Sequence, residues 1–124
     1  MREIKFRAWD KKEKRMLEVV TLYRMHPDGH SVRCRGKIDL IEGTFELMQY
    51  TGLKDKNERH EIYEDDFLRK RSGVIYRVVW NQIYCRFELE TIGGGPVSVR
   101  DLAREENTEW EVIGNIYENS DLLK

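Results

Sequence analysis

Residues 83 to 90 alternate without interruption, Ile83, Cys85, Phe87 and Leu89 against Tyr84, Arg86, Glu88 and Glu90. A period of two is the signature of a strand with one buried and one wetted face, because successive side chains point to opposite sides of the backbone. The same period runs through Ile4, Phe6 and Ala8 against Lys5, Arg7 and Trp9, which predicts a first strand over residues 2–9. The charged run Asp10-Lys-Lys-Glu-Lys14 reads as a hairpin loop, and the apolar, β-branched stretch from Met16 to Arg24 returns antiparallel to the first strand. Pro27-Asp28-Gly29 supplies the next turn, proline presetting φ and glycine accepting positive φ.

Short strands follow at 31–35 and 37–41, interrupted by Gly36, and Glu42-Gly43 turns the chain into a strand over 44–51. That strand has apolar groups on both faces, which predicts a central position. Residues 52–60 are polar and read as a loop. Ile62-Tyr-Glu-Asp-Asp-Phe-Leu68 then leads through Arg69-Lys70-Arg71 and a Ser72-Gly73 turn into a strand over 74–80, with Asn81-Gln82 as a tight connection to 83–90. Gly93-Gly94-Gly95-Pro96 lacks the Lys-Ser/Thr pair and following helix of a phosphate-binding loop, so it reads as a hairpin loop. Residues 97–106 read as a strand passing into one or two helical turns with Asp101 near their start. Trp110, Val112 and Ile116 mark a closing strand, and a last turn falls at Leu122-Leu123.

The expected fold is therefore mainly β, or β-rich α+β: an N-terminal β-meander over residues 1–60 packed on a C-terminal SH3-like small barrel over 61–124. At 124 residues the chain is long enough to bury about two thirds of its unfolded surface and to fold without staples. Cys34 and Cys85 stand alone, with no metal-ligand spacing around His26, His30 or His60. No charged-then-apolar leader and no long apolar run occurs, so the expectation is a cytoplasmic protein with two reduced thiols and no membrane partner.

Charge is distributed unevenly. Residues 1–60 carry 14 Lys/Arg against 10 Asp/Glu, a net of +4, whereas residues 61–124 carry 8 against 13, a net of −5. Halves of opposite sign attract each other within a molecule or between head-to-tail neighbours, and the basic half suits phosphate.

Three separated segments carry a family resemblance: Arg2-Glu-Ile-Lys-Phe-Arg-Ala-Trp-Asp10 at the start, Leu47-Met-Gln-Tyr-Thr-Gly-Leu-Lys-Asp-Lys-Asn57 with Glu61-Ile-Tyr-Glu64 and Asp66 in the centre, and Val112-Ile-Gly-Asn-Ile-Tyr-Glu-Asn119 at the end. In this order they resemble the YopX family of phage and prophage proteins. The resemblance implies a mostly β protein of bacteriophage or prophage origin, active in a bacterial cytoplasm, in a family without an established biochemical role. This chain departs from the family pattern at Glu58 and Asp65, where glycine is usual. Glycine there suits positive φ, which aspartate tolerates at some cost.

No residue set specifies a reaction, so no catalytic residue, metal site or cofactor is assigned. The candidate functional turn is Tyr63, Glu64 and Asp66, with Asp66 expected to cap the junction. His60, Glu61, Glu64, Asp65 and Asp66 form the most catalytic-looking group, and its clustered carboxylate oxygens suit a hard cation such as Mg²⁺, the basis of a divalent-metal enzyme alternative, although acidic runs commonly serve as solvated turns. A nucleic-acid alternative draws on Lys5, Arg7, Trp9, Lys11 and Lys12, with Lys14 and Arg15 beside them, and on Arg69, Lys70 and Arg71; cations would neutralise phosphate while an aromatic stacks on bases. A net charge of −1 weighs against it. The leading expectation is a non-enzymatic binding or regulatory module for an unidentified host or phage protein, with homo-oligomerisation open.

Overall fold

The computed structural model describes residues 3–25, 29–93, 99–104 and 110–123. Eleven strands account for most of them: β1 (Phe6–Asp10), β2 (Arg15–Met25), β3 (Gly29–Cys34), β4 (Ile38–Ile41), β5 (Phe45–Lys54), β6 (Glu61–Tyr63), β7 (Asp66–Lys70), β8 (Ile75–Asn81), β9 (Arg86–Thr91), β10 (Val99–Asp101) and β11 (Trp110–Asn115). Short 3₁₀ turns lie at Lys56–Glu58, Leu102–Arg104 and Ser120–Leu123. The mainly β expectation holds, and every strand pairing is antiparallel.

The chain forms two compact units, residues 1–49 and 50–124, so the division falls inside β5 rather than at the 60/61 step read from the sequence. The local reason lies in the residues after Gln49. The Tyr50 ring stands 5.5 Å from that of Tyr63, and Asp55 is tied to β11, so the segment 50–60 belongs with the later strands.

In the first unit the strands run β4-β3-β2-β1-β5. The β1–β2 turn is built by Asp10, whose Oδ1 accepts the N–H groups of Lys12 (3.1 Å) and Glu13 (3.2 Å) while Oδ2 accepts from Arg15 Nε (3.2 Å). These donors outweigh the burial that pushes the carboxyl up, and hold it below the usual carboxylate range. Ala8, Val32, Cys34, Leu40 and Phe45 form the core, with Leu17, Val19, Ile38 and Leu47 packed against them. β5 pairs with β1 along Phe45–Gln49 and with β6 at Tyr50 and Lys54. The Pro27-Asp28 part of the expected turn lies outside the described residues; Gly29 follows with φ +82°.

The second unit holds a five-stranded sheet in the order β10-β9-β8-β7-β11. Its core is Ile62, Leu68, Tyr76, Val78, Leu89, Leu102 and Trp110. Tyr76 meets Trp110 edge to face at 5.2 Å, and Lys70 Nζ lies 5.8 Å over the same indole. The expected SH3-like closure is not found among the described residues: β10 and β11 stand at opposite ends of the sheet, so it is open. Three local readings also change. Arg69 and Lys70 belong to β7 rather than to a turn, Gly52–Lys54 extend β5, and Ile83–Cys85 lie in the β8–β9 turn rather than in a strand. The alternation at 83–90 is half strand and half turn, because Asn81 captures the backbone before the ladder resumes at Arg86.

Candidate functional site

The turn between β6 and β7 is organised by side chains that the sequence singles out. Asp66 is 1% exposed, and its Oδ2 accepts the N–H of Tyr63 at 2.8 Å. It is the expected cap of the junction. Asp65 takes φ +66°, as the glycine of the family pattern would. Its N–H donates to the Val78 carbonyl and its own carbonyl accepts from Ile116 N–H. Its carboxylate accepts from Arg77 Nη2 at 3.0 Å and from Tyr117 Oη at 3.4 Å. Tyr63 is 9% exposed and Glu64 is half-buried. The turn is thus a clamp joining β6, β7, β8 and the residues after β11, with Asp66 holding a backbone N–H and Asp65 holding Arg77 and Tyr117.

Asp55, which the sequence reading left without a role, is the companion anchor. Its side chain is buried, and its oxygens accept from the N–H of His60 (2.8 Å), from His60 Nδ1 (3.3 Å) and from the N–H of Val112 (3.1 Å). Burial pushes this carboxyl up, but the donors from Val112 and His60 win and hold it below the usual range. His60 itself is largely exposed, with 61% of its side chain in solvent. Among the described residues no three His, Cys, Asp or Glu side chains gather as they would around a metal ion.

The end motif is equally structural. Asn115 Oδ1 accepts the N–H groups of Tyr117 (3.0 Å) and Glu118 (2.9 Å), its Nδ2 donates to Glu118, and Asn119 Oδ1 accepts the N–H of Asn115. A Cβ on Gly114 would collide with the Asn119 amide, so glycine is required there by the neighbour that closes the turn.

The basic candidates divide between the two units. In the first, Lys5 pairs with Glu3 and Lys11 with Glu46, Arg7 Nε donates to Met48 Sδ, and Lys12 is exposed. Trp9 is 8% exposed, so its ring is not an open stacking platform. In the second, Arg69 shares Glu111 with Lys56, Lys70 lies over Trp110, and Arg71 is exposed in the following turn.

Among the described residues of the second unit the most exposed large apolar side chains lie elsewhere, at the tip of the β8–β9 hairpin. Ile83 is 87% exposed, Tyr84 67% and Trp80 44%. Their backbone is preset: Asn81 Oδ1 accepts the N–H groups of Ile83 (2.9 Å) and Tyr84 (3.1 Å), and Cys85 completes the turn at φ +51°. The Asn81 amide and the Arg86 guanidinium both bind the carboxylate of Glu88, at 2.9 and 2.8 Å, and hold its carboxyl below the usual range. Arg86 also lies 5.0 Å over the Tyr84 ring and 3.5 Å from Asp101, while Trp80 meets Phe87 edge to face at 4.9 Å. With the backbone of Ile83 and Tyr84 held by Asn81, and the Tyr84 ring under the Arg86 guanidinium, the turn loses less backbone freedom on binding than an unheld loop would. The sequence reading missed it because the alternation absorbed Ile83 and Tyr84 into a strand; the usable signal was Asn81, whose side chain favours a turn of this kind.

No curated protein sequence matches the chain. Two crystal structures have a similar fold over their full lengths and the full length of this chain: protein EF1440 from Enterococcus faecalis, at 26% identity and a TM-score of 0.59, and protein yopX from Bacillus subtilis, at 17% identity and a TM-score of 0.62. The family described as YopX protein matches residues 5–124. With the segments around Asp10, Asp55, Asp66 and Asn115 all inside that span, the chain belongs to the YopX protein family.

Proposed function

We propose that this is a non-enzymatic binding module of phage or prophage origin, acting in the bacterial cytoplasm on a host or phage protein through the β8–β9 hairpin tip. The observation that carries this reading is the exposure of Ile83 and Tyr84 on a backbone held by Asn81, with Trp80 44% exposed at the end of β8. A solvent-exposed isoleucine and tyrosine on a turn with a fixed backbone, with Trp80 half-exposed at the end of β8, suit recognition of an apolar protein surface. The phage origin rests on the family resemblance. The non-enzymatic part is supported by the use made of the buried acids: Asp10, Asp55 and Asp66 hold backbone N–H groups, and Glu88 holds Asn81 and Arg86.

A tagged pull-down from phage-infected or prophage-carrying lysate tests it, with and without nuclease and at low and moderate salt. The expected result is a protein that survives nuclease, is retained by the wild type and is lost with Ile83→Asp or Tyr84→Ser. Recovery of nucleic acid alone, weakening as salt rises, would transfer the protein to the nucleic-acid class and point to the basic N-terminal hairpin.

A further inference from the structure

The first unit carries an apolar feature of the opposite shape. On the β3–β4 side of its sheet, a recess of about 300 Å³ is lined by Tyr23, Val32, Leu40 and Ile41 together with Ser31 and the Arg33–Asp39 ion pair. Ile41 is 67% exposed and Tyr23 46%. β4 is the last strand of its sheet, so among the described residues nothing lies beyond it in the ladder. We infer that the hairpin tip of one copy of this chain seats on the β3–β4 recess of another, so that the protein associates with itself head to tail.

Three observations favour a second copy as the occupant. The tip is a projecting apolar turn and the recess an apolar hollow, both on one chain and both open to solvent. Their units carry opposite charge: residues 1–49 have 11 Lys/Arg against 8 Asp/Glu, net +3, and residues 50–124 have 11 against 15, net −4. At long range, therefore, the acidic second unit of one copy is attracted to the basic first unit of another. Both patches also bring a charged group that is already neutralised, Arg86 by Glu88 and Arg33 by Asp39, so closing them together strands no charge.

The contact is heterologous: each bound copy keeps one unused patch, and association continues beyond two unless it closes into a ring. A single turn buries less than the roughly 800 Å² per partner of a standard interface, so the association is expected in the micromolar range and to weaken with salt.

This inference rests on the tip being the contact surface, and the test separates the two. Sedimentation velocity across the micromolar range is run on the wild type, on Ile83→Asp (tip removed, recess intact), on Ile41→Lys (recess altered, tip intact) and on their equimolar mixture. Tyr84→Ser serves as a second tip variant, and circular dichroism confirms that each variant is folded. The expected result is a wild-type mass that grows with concentration, variants that are each monomeric with about tenfold or greater loss of self-affinity, and a mixture that forms a one-to-one dimer, since one intact tip and one intact recess remain. A monomeric wild type, a tip variant that associates like the wild type, or a mixture that stays monomeric overturns the inference. If the wild type is monomeric while Ile83→Asp still loses its captured protein, the binding reading stands and only the second copy is wrong.

Discussion

The carboxylate of Asp55 accepts a hydrogen bond from the backbone N–H of Val112 at 3.1 Å, across 57 residues of sequence. The same side chain holds the N–H and Nδ1 of His60, so one buried acid fixes both the 3₁₀ loop at Lys56–Glu58 and the last strand of the sheet.

Asp55→Ala removes the acceptor and leaves the N–H groups of Val112 and His60 without it. Loss of about 2–4 kcal/mol of stability is expected, at the upper end of single substitutions because buried donors are orphaned. His60→Ala removes only an exposed ring and is expected to cost less than about 1 kcal/mol. Urea unfolding of both variants checks the contrast; equal losses would show that the imidazole, not the backbone, is what Asp55 holds.

The folded carboxyl of Asp55 lies below its ordinary value of 3.8, so its contribution is complete above that value and is lost as pH falls through the lower, folded one. Asp10 and Glu88 are shifted in the same direction and act in the same window. Melting temperature is therefore expected to be insensitive to these groups above about pH 5 and to drop below pH 4, with a shallower drop in Asp55→Asn.

Glu58 takes φ +53° and Asp65 φ +66°, both where the family pattern has glycine. At Glu58, which is exposed, glycine relieves a left-handed backbone and adds some unfolded-state entropy, so Glu58→Gly is expected to stabilise by about 0.5–1 kcal/mol. Asp65→Gly gains the same relief but forfeits the Arg77 and Tyr117 contacts, so a smaller gain or a net loss is expected. Thermal unfolding of the two side by side decides it, and a larger gain at 65 would show that those contacts contribute nothing.

Gly114→Ala is expected to cost about 2 kcal/mol, because the new methyl displaces the Asn119 amide that accepts from Asn115. Much of that cost should vanish in an Asn119→Gly background. A double-mutant cycle with no coupling would place the strain elsewhere.

Much of this molecule was legible in its sequence, and the reasons differ by element. β1, β2, β5 and the capping role of Asp66 follow from local periodicity and from the short reach of an aspartate to its own turn, both of which are sequence-near effects. Asp55 could be recognised as part of a motif but not as an anchor for β11, because its third donor is remote in sequence. The hairpin tip was hidden by a pattern that continues unbroken from turn into strand; alternation reports side-chain type and not whether the backbone is paired. Barrel closure was inferred from strand number, whereas it depends on whether the edge strands meet, which strand number leaves undecided.

The position of β11 sets an order of events during synthesis. The first unit is complete at Gln49, whereas the C-terminal sheet lacks an edge strand, the Trp110 side chain and the Val112 donor to Asp55 until residues 110–115 have been made. At about 5–20 residues per second, the N-terminal sheet has a lead of several seconds on the ribosome. A ribosome that stalls within that interval carries every residue of the first unit followed by a second unit whose central indole has not yet been added, so the apolar side chains that pack around Trp110 stay uncovered for as long as the stall lasts.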